Sequence, residues 1–164
     1  MDNLEIERKY LIRMPDASLL SALPSSEIEQ IYILSPENGR ERIRRRVFAD
    51  RVVFTHTVKQ RLSDLSRIEL EEEISEERFR ELSKRADPER SPIRKKRYLY
   101  GYDDQLFEID VFPFWDDRAL MELELGNEEQ EIRLPSAIEI IREVTSDGRY
   151  TNSALAREIV RETI

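Results

Sequence analysis

Charged side chains recur in this chain at every second position, with acidic and basic groups in separate short ladders: Glu5, Glu7, Lys9; Arg42, Arg44; Lys59; Glu69, Glu71, Glu73; Lys95, Arg97; Glu108, Asp110; and Glu122, Glu124. Carboxylate oxygens bind hard cations such as Mg²⁺ or Mn²⁺, while guanidinium and ammonium groups bind phosphate. With no Cys and only one His, His56, the chain has no thiolate nucleophile, zinc finger, iron–sulfur site or multi-histidine metal centre. Any metal held here is held by oxygen.

A spacing of two places such groups on one face of a β-strand, where i and i+2 lie about 6.6–7 Å apart. In the first segment Leu4, Ile6, Tyr10 and Ile12 share one face and Glu5, Glu7 and Lys9 the other, with Arg8 as the exception. The same alternation predicts strands over 3–12, 28–34, 40–49, 51–60, 66–74, 92–101, 105–113 and 118–126. Turn residues separate them, at Pro36-Glu37-Asn38-Gly39, Ala49-Asp50, Ser63-Asp64, Asp87-Pro88, 101–104 and 114–117. Helices are expected at 16–23 and, capped by Ser75, at 75–86. A further one is expected from Pro135 through Arg142, and another capped by Thr151 or Asn152 with Leu155, Ile159 and Val160 on its apolar side. No internal repeat, linker or low-complexity tract appears, so residues 1–164 read as one α+β domain.

Composition bounds the function. Of 164 residues, 27 are Lys or Arg and 35 are Asp or Glu, a net charge of -8, and hydrophobic residues make up 39 %. That suits one domain with a modest core. The acidic balance argues against binding nucleic-acid duplexes, which calls for clustered cations. No stretch approaches the roughly 18 apolar residues that span a bilayer, and the start is charged rather than signal-like, so a cytoplasmic location and no membrane partner are expected. No apolar patch readable by pattern fixes an oligomeric state.

Two carboxylates 7 Å apart repel by about 0.6 kcal/mol in water and about 2 kcal/mol at an effective dielectric near 20. Acidic ladders on several strands therefore need opposing basic ladders or cations. On an open sheet they would form a solvated face. Their recurrence on seven predicted strands instead points to a shared polar space, with apolar faces turned outward under helices. A closed barrel with a charged lumen meets that requirement, and a polyphosphate is a ligand that needs both the cationic side chains and carboxylate-held cations.

In combination these segments resemble the CYTH superfamily, or triphosphate tunnel metalloenzymes. Glu5-Ile6-Glu7-Arg8-Lys9 matches the family's E-x-E-x-K. Arg42-Ile43-Arg44, Thr57-Val58-Lys59, Ser66-Arg67 with Glu69 and Glu71, Lys95-Lys96-Arg97-Tyr98, 106–112 and Glu122-Leu123-Glu124 follow in the family's order. The tail, Glu143-Val144-Thr145 with Arg149-Tyr150 and Asn152, is similar to that of short bacterial members. The resemblance implies a closed eight-stranded antiparallel tunnel with helices outside and the C-terminal segment near one end. It also implies metal-dependent hydrolysis of a triphosphate, with inorganic triphosphate the activity of the most similar type.

On that resemblance Glu5, Glu7, Glu122 and Glu124 are expected to hold the metal, with Glu69 and Glu71 contributing to a second ion. Lys9, Arg42, Arg44, Lys59, Lys95 and Arg97 are expected on phosphate oxygens, Lys9 and Lys95 also acting in catalysis, with Tyr32 tuning Lys95. The arginine register is open between Arg42/Arg44 and Arg44/Arg46. Class IV adenylyl cyclase, thiamine or nucleoside triphosphatase, and a non-catalytic polyphosphate-binding module are the alternatives. His56, Trp115 and 112–114 are read as structural or exposed rather than catalytic.

Overall fold

The structure is a computed structural model describing residues 4–34, 40–63 and 65–164; the expected turn at 36–39 and Asp64 lie outside the described residues. In chain order the elements are β1 (Leu4–Arg13), α1 (Ala17–Ser21), β2 (Ser25–Ile33), β3 (Arg40–Val47), β4 (Val52–Arg61), β5 (Ser66–Ile74), α2 (Glu76–Ser83), β6 (Ile93–Tyr102), β7 (Gln105–Val111), β8 (Arg118–Glu124), β9 (Ile140–Glu143), a 3₁₀ turn (Gly148–Tyr150) and α3 (Asn152–Leu155). The strand order is β5-β4-β3-β2-β6-β7-β8-β1-β9, and β1 also pairs with β5. Strands β1 to β8 therefore close into an antiparallel barrel, through a short β1–β5 seam.

The alternation sorts the two faces as expected. Cross-strand partners share a face, and the registers Lys9↔Glu122, Arg42↔Thr57, Lys59↔Glu69 and Arg97↔Asp110 bring the charged ladders together on the inside. Outward positions carry the core. Ile6, Tyr10, Ile12, Phe107, Ile109, Met121 and Leu123 pack with Leu20 of α1 and with Leu125 and Ile138. Ile43 packs with Phe79 and Leu82 of α2, whose first turn is capped by the Ser75 side chain accepting from the Arg78 N–H.

Two expectations fail. No helix forms over 135–142: Pro135 starts only a turn, with the Ile138 N–H donating to its carbonyl, and Ile140–Glu143 then runs as β9 along β1. The cause is an unpaired backbone edge. β5 pairs with β1 only at Leu4, Glu5 and Ile6, so the far half of β1 still has donors and acceptors to satisfy. Likewise the tail helix is a single turn, α3, capped by Thr151, and Ile159 and Val160 lie beyond it in irregular chain.

Inside the barrel the inward positions change character along its axis. Toward one end Leu11, Tyr32, Ile93, Phe112 and Leu120 replace the charges, and Val144, Tyr150, Leu155, Ala156 and Val160 from the tail pack onto them. Trp115 joins this cluster and donates its indole N–H to the Val160 carbonyl at 2.9 Å. The tail thus seals one end with apolar surface. The Trp115 region packs as expected, and His56 faces outward, its Nε2 lying 2.8 Å from Glu41 Oε1.

Candidate active site

The lumen holds a cavity of about 370 Å³ lined by side chains of all eight barrel strands and of the tail. Every residue expected at the site lines it: Glu5, Glu7, Lys9, Tyr32, Arg42, Arg44, Lys59, Glu69, Glu71, Lys95, Arg97, Glu122 and Glu124.

One wall is cationic. Arg44 donates from Nε and NH2 to Gln30 Oε1 at 3.1 and 2.6 Å, and among the described residues neither it nor Arg42 forms an ion pair. Arg42 Nε is buried with no hydrogen-bond partner. Burial, together with the Arg42 and Arg97 guanidinium groups, lowers Arg44 to about 9. Burial and Arg42 similarly lower Lys59 to about 8, although it lies 3.6 Å from Glu5 and 3.7 Å from Glu69. Arg42 and Arg44 are thus buried cations short of anionic partners among the described residues, a wall suited to phosphate oxygens.

Further round the barrel, on β6 and β7, is a tight ion cluster. Lys95 Nζ sits 2.8 Å from Asp110, whose two oxygens also accept from Arg97 Nε and NH2 at 2.8 and 2.9 Å. Arg97 reaches Glu108 as well, at 3.2 Å. One carboxylate serves two buried cations. Against the cost of burial, Lys95 and Arg97 keep Asp110 ionised well below the usual carboxylate range. Lys95 goes the other way: burial, only partly offset by Asp110, lowers it to about 7. Its Nζ also donates to Asn152 Oδ1 at 3.1 Å. The Tyr32 hydroxyl accepts from Gln30 Nε2 at 3.3 Å, and no Tyr32–Lys95 hydrogen bond occurs among the described residues.

The acidic side is crowded. Glu7 stands directly opposite Glu124, and Glu108 opposite Glu122. Such like-charge pairs are destabilising unless a cation intervenes. Lys9 partly answers for Glu122 at 3.2 Å; burial would raise that carboxyl, but Lys9 holds it down to about 2. Glu7, 3.3 Å from Arg67, is instead raised to about 7 by burial and by the charge of Glu122. Glu124 is raised by burial and by Glu5 and Glu108. No group of three His, Cys, Asp or Glu is preassembled as a metal cage among the described residues. The donor set nevertheless fits a hard divalent cation, which takes one or two carboxylates and completes its shell with water and phosphate oxygens. Glu5, Glu7, Glu122 and Glu124 would hold the first such ion, and Glu69 and Glu71 a second; Glu71 already accepts from Thr57 Oγ1 at 2.9 Å.

The raised Glu7 has a measurable consequence. A carboxyl whose folded value lies above its unfolded one favours the fold while protonated, and it costs stability as pH rises from about 4.5 to about 7. Glu7→Gln removes that cost, so its melting temperature relative to the parent should climb across this interval and level off above it in metal-free buffer. A constant difference from pH 4.5 to 8 would show that Glu7 is not raised.

Several lumen residues escape the sequence reading of the site. Arg67 and Asp110 are in phase with Glu69 and Glu108, so their spacing announced them; Arg67 is opposite in charge to Glu69 and Glu71 on its own strand, and Asp110 answers Lys95 and Arg97 on the next strand, so both hold the ladders together. Thr145, Asn152 and Ser153 line the cavity from the tail, and the Lys9 ammonium donates to the Tyr150 carbonyl at 3.3 Å. No periodicity signals those contacts.

Fold and lumen together define a closed antiparallel tunnel, sealed at one end and lined by opposed acidic and basic side chains. The chain belongs to the CYTH domain family, whose model matches residues 3–157. Among solved structures it is similar to the inorganic triphosphatase NE1496, at 31 % identity over 94 % of this chain and 95 % of that one, with a TM-score of 0.60. PH1012 protein from Pyrococcus horikoshii OT3 is 23 % identical over 75 % of this chain and 80 % of its own, with a TM-score of 0.55. A Pyrococcus furiosus protein is 22 % identical over 76 % and 80 %, with a TM-score of 0.56; these two share the fold. No curated protein matches the chain. No helix among the described residues is long and apolar enough to cross a membrane.

Proposed function

We propose that the lumen hydrolyses the terminal phosphoanhydride of inorganic tripolyphosphate, water attacking in line to give pyrophosphate and phosphate, in the presence of Mg²⁺ or Mn²⁺. The likeness to an inorganic triphosphatase supports triphosphate hydrolysis at the level of the family. The observation that carries the finer reading is the pair Arg42 and Arg44, which form no ion pair among the described residues, in the same cavity as carboxylates that repel one another.

Arg42, Arg44, Lys59 and Arg97 bind the phosphate oxygens and stabilise charge as the bond to the leaving phosphate loosens. Lys9 spans both duties, beside Glu122 and within the cavity. Lys95, lowered to about 7, has a proton affinity suited to taking a proton from the attacking water in its neutral amine form, and Asp110 and Asn152 fix its Nζ in place. The apolar tail keeps bulk water out of the sealed end. The divalent ion, when bound, supplies positive charge to the phosphate oxygens and acidity to water.

A phosphate-release screen of tripolyphosphate, ATP, thiamine triphosphate and pyrophosphate, with and without Mg²⁺ or Mn²⁺, tests this. Tripolyphosphate should be cleaved fastest, and only with metal. Metal-independent release would overturn the mechanism. Cyclic AMP formed from ATP would make the chain a cyclase, and tight tripolyphosphate binding without turnover a binding module.

A further inference from the structure

The inward arginine ladder has a third rung. Arg46 lies two residues beyond Arg44 on β3, opposite Ile28 on β2 and Val53 on β4, so its side chain shares the inner face with Arg42 and Arg44. A slip of two along a strand preserves the face, so Arg46 joins Arg42 and Arg44 rather than replacing either. Arg46 lies toward the end of β3 away from the tail seal, one rung beyond the Arg42 and Arg44 that line the cavity. Three rungs span about 13–14 Å.

The guanidinium is positioned. Its Nε donates to the buried Ser26 hydroxyl at 2.9 Å, and the group lies over the Phe48 ring, 4.7 Å from the centroid, with Arg51 on the same ring at 4.2 Å. Among the described residues Arg51 is paired with Asp50, whereas Arg46 forms no ion pair. Burial and the neighbouring Arg97 lower its proton affinity, as they do for Arg44 further in. Ser26 and Phe48 fix the orientation and leave the terminal NH groups without a carboxylate, the state of a fork awaiting an oxyanion.

We propose that Arg46 is a specificity-determining residue that binds the phosphate protruding from the mouth when a linear chain longer than three enters, so that the tunnel prefers tetraphosphate and longer chains over tripolyphosphate. Because the far end is sealed, additional phosphates extend only toward the mouth, where Arg46 stands. Arg45, the exposed neighbour on the outer face, takes no part.

Since this takes the lumen as a polyphosphate site, the test separates the two claims. Metal-free protein is titrated calorimetrically with tripolyphosphate, linear tetraphosphate and ATP, for the parent, Arg46→Gln and Arg45→Gln. The parent should bind tetraphosphate about tenfold more tightly than tripolyphosphate. Arg46→Gln should abolish that margin and Arg45→Gln keep it. Equal affinities in the parent, or a margin that survives in Arg46→Gln, overturns the inference alone. A margin for ATP but none for tetraphosphate also overturns it, since Arg46 would then face the nucleoside. Failure of all three to bind, in metal-free buffer and again with Mn²⁺ present, overturns the polyphosphate site itself and this inference with it.

Discussion

Glu122→Gln should slow phosphate release from tripolyphosphate on the order of a hundredfold or more at saturating Mg²⁺, while its unfolding midpoint stays close to that of the parent. Glutamine has nearly the same shape but no charge, so the proposed metal site loses a ligand and the cavity keeps its walls. The stability cost is small because two effects oppose. Lys9 loses a buried partner at 3.2 Å, but Glu108, directly opposite, and Glu7, whose proton affinity Glu122 raises, are both relieved of a repulsive neighbour. Lys9 also keeps the Tyr150 carbonyl and the nearby charge of Glu7. Unchanged release by Glu122→Gln, measured beside a melting curve of the same sample, would remove Glu122 from the reaction.

Asp110→Asn is expected to act on the fold instead. Asp110 is 1 % exposed and is shared between Lys95 and Arg97 at 2.8 Å each. Removing one member of a buried ion cluster leaves uncompensated charge and costs about 3–5 kcal/mol. For a chain of this length that lowers the melting temperature by about 6–20 °C. The loss should be greater at pH 6 than at pH 9, because Lys95, already lowered to about 7, can shed its proton at the higher pH, while Arg97 keeps Glu108. A melting temperature within 2 °C of the parent at pH 6, checked by circular dichroism, would contradict the role assigned to Asp110.

The barrel and its charged lumen were legible because a period of two is a direct property of the strand, and seven in-phase ladders admit few other arrangements. Glu5, Lys9, Arg44 and Glu122 reached the cavity on that ground alone. What the sequence concealed follows from contacts between distant segments. The 135–142 stretch carries a helix-opening Pro, yet an unpaired edge of β1 recruits it as β9. Asn152 and Thr145 enter the site through the docking of the tail on Leu11, Phe112 and Leu120, a packing event without periodicity. Helices cover less of the barrel than the apolar outer faces suggested; the irregular segment carrying Ile132 and Ile138 packs there as well. Arg46 was visible as a register alternative to Arg42, and the barrel shows that both point inward.

The most direct test of the gripping lumen is a crystal structure of the protein with Mn²⁺ and a non-hydrolysable imido analogue of tripolyphosphate. The phosphate chain should lie in the lumen against Arg42 and Arg44 of β3 and Lys95 and Arg97 of β6, with anomalous density for manganese beside Glu122. A chain bound on the outer surface, or manganese away from the lumen carboxylates, would contradict it.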